Sequence, residues 1–62
     1  MKTEDEVRAY THKMVDKGWK NPSAIVLASY YEGFDWRFEK MRAFADQEIK
    51  NYTQELLRKK NK

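Results

Sequence analysis

Nine apolar side chains recur at helical spacing from Leu27 to Leu56 without a polar interruption, and this phase restricts the fold more than any other feature. Leu27, Tyr31, Phe34, Phe38, Met41, Ala45, Ile49, Tyr52 and Leu56 follow one another by steps of three or four, which places them on one helical face. The phase crosses Gly33 without a slip. It predicts one long helix over about 22–58, roughly 55 Å at ~1.5 Å per residue. A break at Gly33, with Asp35 as a new N-cap, gives a three-helix alternative. Glycine inside a helix costs only about 1 kcal/mol, so the residue itself does not choose.

Upstream, a short helix is predicted over about 4–17. Thr3 and Glu6 form a capping-box pattern, Glu4, Asp5 and Glu6 suit the positive end of the helix dipole, and Gly18 suits a left-handed stop. Val7, Tyr10, Thr11, Met14 and Val15 share its apolar face. Asn21-Pro22 then opens the next element, with asparagine as N-cap and proline at the first helical position. The expected fold is all-α: a helical hairpin in one small domain, residues 1–62, ending in a frayed basic tail, 58–62.

A chain of 62 residues without cysteine has neither disulfides nor thiolate metal ligands to support a small core. A first helix of about 21 Å shields only the beginning of one more than twice as long. Phe38, Met41, Ala45, Ile49, Tyr52 and Leu56 are then left without a partner in their own chain. Such a row marks an interface, and we expect a homodimer or higher oligomer through the long helix, in the manner of a coiled coil. The longest apolar run is the five residues from Ala24 to Ala28, too short to cross a membrane. The acidic, polar opening MKTEDEVRAY is unlike a secretory signal, and a cytoplasmic protein is expected.

Catalytic constellations are nearly absent, and we expect no enzyme, no metal and no cofactor. His12 is the single histidine; with Asp16 four residues on it supplies at most one arm of a metal site, and it reads as a solvated polar residue. Glu32, Asp35 and Glu39 lack the Glu-x-x-His partner of carboxylate-bridged bundles and read as a solvated face. No glycine-rich phosphate loop or nucleophile–base pair can be composed.

Binding is the remaining class. Off the main stripe, Trp36 and Phe44 flank the long helix, and Gly33 leaves a dent beside Val26 and Phe44. That dent suits either a close helix neighbour or a partner notch. Trp19, Trp36, Arg37 and Phe44 are the candidate anchors for a protein partner, because aromatic residues and arginine dominate interface energies. The net charge of +3 is uneven: residues 7–20 carry +3 and residues 58–62 carry +4, against −2 in each of 1–6 and 21–57. Tyr10, Lys17, Trp19 and Lys20 combine aromatic faces with cations, as a nucleotide site does. The tail Arg58-Lys59-Lys60 either complements the helix dipole or forms a nucleic-acid arm.

Asn21-Pro22, the run from Ala28 to Phe34 with its Glu32-Gly33-Phe34, and Arg42-Ala43 stand in an order that resembles phage anti-CBASS sponge proteins. The spacings from Pro22 to Gly33 and from Phe34 to Arg42 depart from that family's pattern. The resemblance implies a helical hairpin that oligomerises and sequesters cyclic oligonucleotides. The first expectation is a homo-oligomeric regulator or inhibitor of the kind phages or mobile elements encode, acting in anti-defence by occupying a protein partner. A cyclic-oligonucleotide sponge and a nucleic-acid binder are the alternatives.

Overall fold

In the computed structural model, residues 2–60 are described, and they form three helices. Helix α1 spans Glu4–Asp16, α2 spans Pro22–Tyr31 and α3 spans Phe38–Lys60. The start of α1 is the expected capping box, with the Thr3 side chain accepting from the Glu6 amide and Glu6 returning to the Thr3 backbone. Asn21 caps α2, its Oδ1 accepting from the amides of Ser23 at 2.9 Å and Ala24 at 3.4 Å.

The single helix over 22–58 is not formed. Gly33 adopts φ +88° and ends α2 as Gly18, at φ +97°, ends α1. The two ends share one hydrogen-bond pattern. Gly18 and Trp19 donate to the carbonyls of Val15 and Met14, and Gly33 and Phe34 donate to those of Tyr30 and Ser29. Each is a Schellman closure, which satisfies the last carbonyls and reverses the chain. Asp35 is not the cap of the third helix; the first α3 bond runs from the Met41 amide to the Arg37 carbonyl. The connector is held instead by Trp36, whose Nε1 donates to the Lys2 carbonyl at 2.8 Å while its own carbonyl accepts from Tyr30 Oη at 3.0 Å.

Breaking the chain at Gly33 changes which face of α2 is inside. Ile25, Val26 and Ser29 are buried, whereas Leu27 and Tyr31 of the expected stripe are 55% and 92% exposed. The core gathers Val7, Val26, Phe34, Met41 and Ala45, with Tyr10, Trp36 and Phe44 packed against it. Two buried hydroxyls find backbone partners: Thr11 donates to the Val7 carbonyl at 2.8 Å and Ser29 to the Val26 carbonyl at 2.6 Å.

Met41 and Ala45, expected at an oligomer interface, are each only 1% exposed. The second helix turns back over them, so no second copy is needed to cover them. No helix packs closely on Gly33: a Cβ placed there meets nothing within 4 Å, so the glycine serves the turn and not a close approach. Residues 58–60 continue α3 rather than fray, and Asn61 and Lys62 of the expected tail lie outside the described residues.

Candidate functional site

Two contacts set the direction of α1 against α3. His12 Nε2 lies 3.0 Å from Glu48 Oε1, and Tyr52 Oη donates to Asp16 Oδ1 at 2.7 Å. Both pairs are separated by 36 residues, so the two helices run parallel. This is an up-down-up arrangement of three helices, with α2 returning between two parallel partners, and not a two-helix hairpin.

The contacts form a polar clasp. Glu48 also takes Arg8 Nε at 3.3 Å, and the His12 ring stacks on Tyr52 with centroids 4.1 Å apart and planes 6° from parallel. His12 is therefore a half-buried interhelical residue and not a solvated one. Asp16 accepts a hydrogen bond from Tyr52, and among the described residues no group of three potential metal-ligating side chains forms. The Asp16 carboxylate raises the Tyr52 phenol above its ordinary pKa, chiefly because the phenol donates its proton to that oxygen. Tyr10 is raised by burial, with the Glu32 charge adding to it.

Parallel helices also sort the charges. The amino ends of α1 and α3, with the connector from α2, collect Glu4, Asp5, Glu6, Glu32, Asp35 and Glu39 against Lys2, Arg37 and Lys40. The opposite end collects Lys13, Lys17, Lys20, Arg58, Lys59 and Lys60 against Asp16 and Glu55. The turn cluster and the basic tail, distant in sequence, thus occupy the same end of a molecule 38 Å long. In α1 and α3 the acidic residues at the start and the basic ones at the end complement the dipole, whereas α2 runs the other way and carries Glu32 at its C-cap.

Beyond Tyr52, α3 extends past the end of α1. Thr53 to Lys60 are all exposed and project about 12 Å at ~1.5 Å per residue. Leu56 and Leu57 lie here, the latter 54% exposed, and a shallow groove between them is lined by Thr53, Lys59 and Lys60. Trp19, also exposed, sits on the turn at this end.

The residues singled out from sequence divide accordingly. Trp19 and Arg37 are exposed, at opposite ends of the molecule. Trp36 and Phe44 are not free anchors: they meet edge to face with centroids 5.6 Å apart and pack on the core. Of the nucleotide set, Lys17, Trp19 and Lys20 are open, while the Tyr10 ring lies 5.0 Å from that of Phe34 and is not available for stacking. Of the oligomer row, Phe38 and Leu56 are exposed, and Ile49 and Tyr52 are half-buried at the edge of the α1–α3 contact. Leu57 falls outside the main apolar stripe, and its signal in the sequence is its position beside Leu56 and before three cations. Comparison of the chain with protein-family models, curated proteins and solved structures gives no significant match.

Proposed function

We propose that this chain is a non-enzymatic helical binding protein, a regulator or inhibitor that occupies an acidic surface on a protein partner with its basic end. The carrying observation is the convergence of six cations with Trp19, Leu56 and Leu57 at one end of parallel helices. Cations alone steer a partner and add little affinity; apolar anchors supply the rest. Covering a leucine that stands half in water contributes on the order of 1 kcal/mol, and a tryptophan more. The anchors of this reading are Trp19, Leu56 and Leu57, in place of Trp36 and Phe44.

The same convergence favours a second reading, in which the end binds a nucleic acid through its phosphates with Trp19 stacking on a base. Chemical-shift mapping on isotopically labelled protein separates the two. An acidic peptide containing leucines is expected to shift the amides of Trp19 and Thr53–Lys60 saturably, with binding weakened in Leu57→Ala. Saturable binding of duplex or single-stranded DNA, or of a cyclic dinucleotide, with no response to the peptide would refute the protein-partner reading.

A further inference from the structure

The two ends of this molecule complement each other in charge and in apolar surface, yet cannot meet within one chain. At the acidic end Glu32, Asp35 and Glu39 make no ion pair among the described residues, and exposed Tyr31 and Phe38 stand beside them. At the basic end Arg58, Lys59 and Lys60 are likewise without ion pairs among the described residues, beside exposed Leu56 and Leu57. Glu39 and Lys59 sit on the same helix, roughly 30 Å apart at ~1.5 Å per residue, so an intramolecular contact is excluded. Resting on the reading of the basic end as a docking surface for acidic protein, we infer that its partner is the acidic end of a second copy of this chain, giving head-to-tail self-association.

Several consequences follow from the geometry. Stacking end on end aligns the dipoles of α1 and α3 from copy to copy. Overlap of two basic overhangs, by contrast, would gather two sets of three cations. The contact is heterologous, so it leaves a free acidic end and a free basic end and propagates unless it closes into a ring. The whole molecule is 19 by 17 Å across between backbone extremes and its basic overhang is a single helix, so an end contact covers at most a few hundred Å², well below the ~800 Å² per partner of a stable complex. The association is therefore weak, reversible and sensitive to salt.

Sedimentation of the full chain is the test, at concentrations from about 20 µM to about 1 mM and in ~0.02 M and ~1 M salt, between which the screening length falls from over 20 Å to about 3 Å. The average mass is expected to rise at least twofold with concentration in low salt and to return to the monomer in high salt. Two variants define the contact, Glu32→Gln/Asp35→Asn and Lys59→Gln/Lys60→Gln. Each alone is expected to stay monomeric, and their equimolar mixture to stop at twice the monomer mass, because one intact acidic end then meets one intact basic end. A wild-type monomer at every concentration overturns the inference, as does a mixture that remains monomeric or a variant that dimerises alone. Binding of the acidic peptide by Glu32→Gln/Asp35→Asn keeps the outcomes apart. Retained binding without self-association removes only the second-copy partner, whereas loss of peptide binding by the wild type removes the docking surface itself.

Discussion

Replacing Gly33 with alanine discriminates between the two folds that the apolar phase allows, because the sign of the effect differs. In a continuous helix the substitution would stabilise by about 1 kcal/mol, the difference in helix propensity. Here Gly33 has φ +88°, a region that costs an L-residue roughly 1–2 kcal/mol. The added Cβ meets no atom within 4 Å, so steric overlap adds nothing. Alanine also narrows the unfolded ensemble, which offsets about 0.4–1 kcal/mol of that cost. The net expectation is a loss of about 1 kcal/mol, which for a domain of this size lowers Tm by roughly 4–8 °C. Gly18→Ala is the matched control, at φ +97° and equally unobstructed, and should lose a similar amount. Gly33→Asn should lose less than Gly33→Ala, since asparagine tolerates the left-handed region. Urea and thermal unfolding followed by far-UV circular dichroism give the values, in high salt so that association does not contribute. A Gly33→Ala variant more helical and more stable than the wild type would refute the three-helix fold and restore the single long helix.

Met41→Ala should cost about 2–5 kcal/mol, as for a fully buried methionine, whereas exposed Leu57→Ala should stay within about 0.5 kcal/mol; equal losses in urea unfolding would contradict the placement of Met41. Tyr52→Phe removes the hydrogen bond to Asp16 and should lower Tm at neutral pH. Because the phenol's pKa is raised in the fold, its stabilising contribution is complete below the unfolded value of about 10 and is lost as pH rises through the higher folded one. The variant should accordingly lose less stability than the wild type in alkaline titration, and an unchanged alkaline profile would sink the Tyr52–Asp16 clasp.

Some of this was legible in residues close together in the chain. The capping box at Thr3 and Glu6, the glycine stop at Gly18 and the asparagine cap before Pro22 each depend on groups within a few positions, so pattern and structure agree. Gly33 is the instructive failure. Its hydrophobic phase is continuous with α3, but the residues PSAIVLASYY of α2 are apolar on nearly every side, so periodicity there cannot select a face. A local signal was present: Lys17-Gly18-Trp19 and Glu32-Gly33-Phe34 are both a charged residue, a glycine and an aromatic, and both close the same way. The candidate surface was legible only in pieces. The cations of the turn and of the tail read as two separate spots, and Trp36 and Phe44 read as free anchors, because nothing in the sequence shows which helices lie side by side.

The sequence by itself determined that the chain is helical, where two of its helices begin, and that Met41 and Ala45 lie on one apolar stripe of the last one. Tertiary structure decided the rest. Closing the chain at Gly33 lets α2 cover Met41 and Ala45 from within, a contact between residues far apart in the sequence that outweighs a local preference of about 1 kcal/mol. That same closure makes α1 and α3 parallel, and only parallel helices put like-charged termini together. The separation into an acidic and a basic end is therefore a property of the packing, although every charge that composes it is visible in the sequence.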